Sequence, residues 1–417
     1  MMNAKITSIR SDVGHSTGSR LALLLASAAI IWMNARILGP EGQGFVALFS
    51  LGVLTISSAG AFIAGGAVVY LQQRIDLRDA WWPGVLWLAG VATAVGILGY
   101  ITEWLPVYWA IEIAVAGFVQ GLIIFHAQLA LAVNRVALYN AVTAGQTTLL
   151  ALFLATCFYG VGWQMVDAWV MCLEVTLVLT LMTSCKVFRT LGRPRFRLSS
   201  DLWQLLWSYG RLSASGGLLQ MWTNRANISI LERTGGIGLS GAGVYSVAYY
   251  GVEAIWAFSR GLAPVLHSRV ASMHEEQEER LALTLKFTRW SIWVTLPLSL
   301  IAAGLPDKVY LAIFGFPGIA NVLRALFPLM LTGAVCSVWA HHLSGVGGHK
   351  WNAWSSGAGF VLLCALAPVG IAEFGVSGAA IVASLAGGIQ LLGLGLGLAQ
   401  TEKIRLLPWL FSRSSQQ

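Results

Sequence analysis

The stretch VSGAAIVASLAGGIQLLGLGLGLAQ, residues 376–400, decides the fold class. It holds 25 consecutive residues without a charge. As a helix it would be about 38 Å long at 1.5 Å per residue, longer than the roughly 30 Å of hydrocarbon in a bilayer. With no water in that layer, backbone polar groups must be satisfied inside the segment, and a helix does this. The same reading extends over the chain. Of its 417 residues 57% are hydrophobic and 11% charged, where a soluble domain carries about 25% charged residues. A chain so poor in charge cannot cover a water-facing surface of its own size.

Twelve apolar windows follow, at 19–39, 45–71, 81–101, 109–133, 136–160, 166–186, 204–231, 241–271, 287–314, 324–347, 352–373 and 376–400. Gly39-Pro40, Gly160, Gly192, Gly315 and Gly347-Gly348 punctuate the joins. Trp81, Trp82, Trp104, Trp109, Trp203, Trp207 and Trp351 fall near the ends of windows, as an interfacial aromatic belt requires. Lys5, Arg10 and Arg20 precede the first window in the manner of a signal peptide, but the apolar run continues to about Met33, so a first transmembrane helix is the expectation. The expected fold is all-α and polytopic, with about twelve transmembrane helices.

The net charge of +8 is organised. With a cytoplasmic N-terminus, 19 of the 26 basic residues lie inside, and Arg36, Arg233, Lys308 and Arg324 lie outside or at outer helix ends. That bias satisfies the positive-inside rule with both termini cytoplasmic, and membrane lipids, not nucleic acid, are the partners it implies. The basic stretch at 187–203 separates an expected six-helix lobe at 1–186 from a second at 204–417. A faint echo links the two: Gly42-Gln43-Gly44-Phe45-Val46-Ala47 after Asn34 and Arg36, then Gly241-Ala242-Gly243-Val244-Tyr245-Ser246 after Asn224 and Arg225. The charged run at 274–280 reads as a solvated helical turn.

Nothing signals an enzyme. Gly345-Val346-Gly347-Gly348-His349-Lys350 has the wrong spacing for a phosphate loop and no following Ser or Thr. His341 and His342 are neighbours, about 100° apart on a helix, so they cannot share a metal; with His126 they read as polar groups satisfied between helices. The five cysteines form no CxxC pair and read as small buried apolar residues. No cofactor and no metal is expected.

The informative residues are charges inside spans. An Arg at a helix centre costs about 2.5–3.5 kcal/mol even on the lenient insertion scale, so Arg211, Arg225 and Arg260 need a wet cavity, a partner or a ligand. Arg211 and Arg225 lie fourteen residues apart, within about 40° of one helix face and about 21 Å along the axis. Gln220 and Asn224 add hydrogen-bonding capacity nearby, and Glu253 and Arg260, seven apart, share a face. Glu174 sits in the middle of the sixth window. Two readings stand at this point: interhelical ion pairs that fix packing, or an internal cationic pathway for an anionic substrate, to which arginine donates bidentately.

Four motifs resemble the oligosaccharide-lipid (O-antigen type) flippases of the multidrug/oligosaccharidyl-lipid/polysaccharide exporter superfamily, over nearly the whole chain. They are Ala35-Arg36-Ile37-Leu38-Gly39-Pro40-Glu41-Gly42-Gln43-Gly44; the segment from Gly243-Val244-Tyr245 to Pro264-Val265-Leu266-His267-Ser268-Arg269; Gly347-Gly348; and Phe374-Gly375-Val376-Ser377-Gly378-Ala379-Ala380. The resemblance implies two six-helix lobes around a central cavity in the bacterial inner membrane. It implies flipping of a polyprenyl-pyrophosphate-linked oligosaccharide by alternating access, for polysaccharide or O-antigen biosynthesis, driven by an ion gradient or by downstream consumption. Arg211, Arg225, Arg260, Asn224 and Gln220 are then the substrate-binding candidates. Many relatives carry an Asp where this chain has Asn227, so Glu174 and Glu253 are the nearest candidates for coupling H+ or Na+. A drug exporter of the same superfamily is the alternative, but it would favour an acidic cavity. A membrane-embedded polysaccharide polymerase or ligase would need a large outer loop, and none is present.

Overall fold

A computed structural model describes residues 2–102, 107–273 and 276–405. Trp104, His274, Glu275 and Arg413 lie outside the described residues, as do the side chains of Lys5, Arg10 and Arg20. The described chain is all-α, without a strand.

The chain forms two compact units, Met1–Leu218 and Leu219–Gln417. The first contains helices α1 (Met2–Ala64), α2 (Ala67–Leu71), α3 (Leu77–Ile101), α4 (Val107–Ala132), α5 (Val136–Ala155) with a π-helical turn at Thr156–Val161, α6 (Val166–Ser184) and the short α7 (Phe188–Leu191). Helix α8 (Ser200–Arg233) begins in the first unit and ends in the second. The second unit continues with α9 (Gly238–Ile255), α10 (Ala257–Ser272), α11 (Gln277–Gly304), α12 (Asp307–Phe314), α13 (Ile319–Ala325), α14 (Phe327–Gly345) and α15 (His349–Thr401).

Among the described residues six stretches are long and apolar enough to cross a membrane, and eight if each bent helix pair is one span. Two of the six, Ala22–Leu71 and His349–Thr401, run 50 and 53 residues, about twice a span. Each breaks at a glycine: Gly39 at φ 68°, followed by Pro40, and Gly375 at φ 58°. Only glycine adopts that left-handed region readily, so these positions fold one continuous apolar run into two crossings. Helices α8 and α9–α10 fall short on composition because they carry Gln220, Asn224, Arg225, Glu253 and Arg260. With α1 and α15 counted twice, these bring the spans to the twelve read from the sequence.

Boundaries differ from the sequence reading in several places. The turn after the fifth span is made by Gly162, at φ 81°, not by Gly160, which lies inside the π-helical turn. The window 241–271 is broken at Trp256 between α9 and α10, where the indole Nε1 donates to the Met330 carbonyl at 2.7 Å. The window 287–314 is a helix that starts earlier, at Gln277, and turns through 89° into α12 after Pro306.

In the first unit α1 packs on α3, α4 and α5, and α6 on α4 and α5. Ile63, Val68, Leu71, Leu88, Phe125 and Leu206 are fully buried in one core. The first half of α8 belongs to it. Trp207 stacks on Phe62 at 5.4 Å, and Gly210 lies so close to α1 that a Cβ there would sit 1.9 Å from the Phe62 carbonyl oxygen. Buried His126 is satisfied as expected of an interhelical polar group: Trp81 Nε1 donates to its Nε2 at 3.1 Å, and its Nδ1 lies 2.8 Å from Ser184 Oγ. In the second unit α14 packs on α10, α11 and α15.

Candidate functional site

The second half of α8 is a helix whose polar residues recur at 220, 223, 224 and 227, one face at helical spacing. Two arrangements grow from it. The first is ionic. Arg225 Nη2 lies 2.7 Å from Glu253 Oε2 on α9, with side chains 15% and 19% exposed. Arg260, on α10, reaches the other carboxylate oxygen, Nη1 to Oε1 at 3.7 Å, and is 46% exposed. Both guanidinium groups lie against aromatic rings: Arg225 over Tyr250 at 5.3 Å and Arg260 over Trp256 at 5.2 Å. Two cations around one carboxylate leave the triad with a surplus positive charge. The pairing of residues 253 and 260 survives the helix break between them, because Trp256 both ends α9 and supports the Arg260 side chain.

The second arrangement is neutral. Gln220 donates to Asn224 Oδ1 at 3.0 Å and to Gln390 Oε1 at 3.2 Å, and accepts from Ser356 Oγ at 3.0 Å and from the Gln390 amide. Gln390 also donates to Ser356 Oγ at 3.0 Å. Gln220 therefore spends its amide on a network joining α8 to both limbs of α15, while Asn224 commits only its carbonyl oxygen to it. One turn on, fully buried Asn227 donates to Tyr245 Oη at 3.1 Å and to the Ala379 carbonyl at 2.9 Å. An ionised aspartate has no hydrogen to donate to either, which accounts for the amide at this position.

The structure thus brings Gln220 together with Asn224, and Arg225 with Glu253 and Arg260, all in the second unit. Arg211 and Glu174 belong to the first, each exposed, on α8 and α6. Glu174 is close enough to Glu112 of α4 for the two carboxylates to repel. Sequence reading passed over Glu112, although it is the only carboxylate in the window 109–133. It also passed over Ser356 and Gln390, whose signal was a polar residue inside each apolar limb. Among the described residues no group of three or more His, Cys, Asp or Glu could hold a metal ion.

No protein-family model matches the chain, and no curated protein matches it. Solved structures do. An inward-facing multidrug resistance MATE family transporter of the MOP superfamily superposes with a TM-score of 0.71 at 14% identity, over 92% of this chain and 98% of that one. The lipid II flippase MurJ, in an inward closed conformation, gives 0.65 at 12% identity, over 93% and 87%. The Vibrio cholerae MATE transporter VcmN, in a mutant form, gives 0.61 at 11% identity, over 94% and 98%. The fold is the one these transporters share.

Proposed function

We propose that the chain is a flippase that carries a polyprenyl-pyrophosphate-linked oligosaccharide across the bacterial inner membrane by alternating access of two lobes, with both termini cytoplasmic. Support comes from a transporter fold, from the basic residues gathered on one side of the spans, and above all from one observation: Arg225 and Arg260 converge on the single carboxylate of Glu253. Two arginines neutralised by one glutamate leave a cation that an anionic headgroup can match. Exposed Arg260 is the group that meets the pyrophosphate first, Arg225 orients the carboxylate between them, and the Asn224 amide N–H groups serve the sugar. Gln220 holds Asn224 in place, and Arg211, in the first unit, stays a substrate-binding candidate by its residue type alone. Glu174 and Glu253 remain the groups at which H+ or Na+ would be coupled.

A drug exporter for organic cations needs a carboxylate open to its ligand. Glu253 is covered on both oxygens by arginine, which favours the flippase. The test is purified protein in vesicles carrying a fluorescent polyprenyl-pyrophosphoryl oligosaccharide in one leaflet, with transfer read by a membrane-impermeant quencher. Transfer that needs the protein and falls at least tenfold in R260A supports the reading. Export of a lipophilic cation by the same vesicles, without lipid transfer, would replace it with the drug exporter.

A further inference from the structure

A second charged cluster takes no part in the arginine site. His342, on α14, is fully buried, and Glu402, which directly follows α15, is 2% exposed. Glu402 receives Arg280 of α11, Nη2 to Oε2 at 2.9 Å, and His342 Nε2, at 2.9 Å from Oε1. Gln277 donates to the Glu402 main-chain carbonyl, and Arg280 also donates to the Met273 carbonyl at 2.7 Å, just past α10. On the far side of the imidazole, Thr284 Oγ1 lies 2.7 Å from His342 Nδ1 and 2.8 Å from the Arg280 carbonyl oxygen.

Counting hydrogens shows what this geometry allows. Arg280 and His342 both address Glu402, so the carboxylate acts as acceptor and Nε2 carries a hydrogen. Thr284 has one hydroxyl hydrogen and two acceptors within reach. When it points at Nδ1, His342 is a neutral imidazole with its hydrogen on Nε2. When it points at the Arg280 carbonyl, the hydroxyl oxygen is free to accept from Nδ1–H, and His342 is an imidazolium. Both states leave every side-chain polar atom of the histidine hydrogen-bonded. A buried group that can change charge without stranding a donor or acceptor avoids the cost of an unsatisfied polar group, and the Glu402 carboxylate offsets the desolvation of the charge.

We propose that His342 is a reversible proton-binding site, with Thr284 as its hydroxyl rotor, and that the bound proton strengthens the tie of the end of α15 to α11 and α14. The ligand is a proton, and the site is separate from Glu174 and Glu253. With the proton bound the cluster holds Arg280, His342 and Glu402 at net charge +1; without it, Arg280 and Glu402 alone are left as a neutral pair. Glu276, Glu278, Glu279 and Lys403 are exposed. On α10, His267 faces His341 and not His342, and at the start of α15 His349 feels the same His267 while Lys350 is exposed. Burial works to raise the Glu402 carboxyl, but the hydrogen bonds and charges of His342 and Arg280 outweigh it and hold it below the ordinary range. Glu402 is therefore held as the carboxylate that both Arg280 and His342 address. The tie is tightest with the proton bound and slackens when the proton leaves.

The experiment is 15N spectroscopy of histidine-labelled, full-length protein in lipid nanodiscs between pH 5 and 9, with His342 assigned by the signal missing in H342Q. The expected result is an imidazolium at low pH and the Nε2–H tautomer at high pH. In E402Q the midpoint should fall by about one pH unit or more, roughly tenfold weaker proton binding, because an opposite charge in contact is lost. Should E402Q fail to accumulate, T284V serves: Nδ1 loses its partner in both states, the imidazolium loses more because a bare N–H of a charged group costs more than a bare neutral nitrogen, and the midpoint falls as well. A histidine fixed in one state across the range, an Nδ1–H tautomer at high pH, or a midpoint unmoved in the variant would overturn the proposal.

Discussion

Arg225 and Glu253 stand 28 residues apart in sequence and 2.7 Å apart in space, each less than one fifth exposed. The contact means that the most buried arginine of α8 is not held open for a ligand; it is matched by a carboxylate of α9. Removing one member of a buried pair strands the other, at about 3–5 kcal/mol for a fully buried case. Here Arg260 can take up part of the orphaned carboxylate. R225A should therefore lower stability by about 1–3 kcal/mol and also reduce export, while R260A, at a half-exposed cation, should reduce export at nearly unchanged stability. Thermal unfolding and vesicle transfer of both variants, normalised to protein level, check this. A stable, fully active R260A would leave the triad as packing alone.

Asn227 gives a second test. Its amide nitrogen donates to Tyr245 Oη and to the Ala379 carbonyl from a fully buried position. N227D turns that donor into an acceptor facing the Ala379 carbonyl oxygen and removes that bond, while the Tyr245 hydroxyl can reverse and donate to the carboxylate. A buried unsatisfied polar group costs about 1–3 kcal/mol, so the unfolding midpoint should drop by several degrees. Raised export together with an unchanged midpoint would instead show that the position tolerates a coupling acid.

These two sites show what was legible in the sequence. Spans could be read because the apolar windows exceed the bilayer thickness, and the glycine breaks at Gly39 and Gly375 lie inside two of the longest runs. The importance of Arg225, Glu253 and Arg260 was legible too, because charge in an apolar window is expensive wherever it points. Their partners were not. Pairing of Arg225 with Glu253 depends on the register of two helices, and the periodicity of each helix fixes only its own faces. Trp256 broke an apolar window with no proline or glycine to mark it. Ser356 and Gln390 looked incidental because single polar residues are common in long apolar runs, and only the fold puts them against Gln220.

The basic stretch after α7 is tied to the first unit. Arg195 Nη1 reaches Asp76 Oδ2 at 3.1 Å, Arg197 reaches Asp79 at 3.2 Å, and Arg78 holds Asp76 at 2.6 Å. The side-chain hydrogen bond from Arg78 dominates over burial, and with Arg195 nearby the Asp76 carboxyl falls to about 2. A depressed carboxylate stabilises fully above its unfolded value of about 4 and loses that effect only as pH falls through about 2. The tie should thus be complete and insensitive to pH between 5 and 8. D76N removes the Arg195 part of the tie at every pH, and trypsin at neutral pH should then cut after Arg195 several times faster than in the parent, while Arg197 stays held by Asp79. Equal cleavage rates would mean that the contacts do not hold the segment.

The two limbs of α15 meet at glycines. A Cβ on Gly378 would lie 1.8 Å from the Gly370 carbonyl oxygen, and backbone stands on both sides of the contact, so neither can rotate away. Ten residues on, Gly388 has nothing within 4 Å of the same position. Both sit in helical backbone of one limb, so the same substitution separates contact from propensity. G388A should be neutral or stabilise by up to about 1 kcal/mol, the helix propensity gained over glycine. G378A gains the same propensity, but it forces the limbs apart and should cost about 1–3 kcal/mol or more, as overpacking does. The close approach also sets the register that places Ala379, and hence its carbonyl, against Asn227. G378A should therefore weaken that bond as well, and its effect with N227D should be less than additive by about 0.5 kcal/mol or more. Unfolding midpoints of G378A, G388A, N227D and the G378A/N227D double variant decide it. Equal midpoints for G378A and G388A would show that the limbs of α15 stand further apart than 1.8 Å from a Cβ implies, and full additivity would separate the glycine contact from the Asn227 bond.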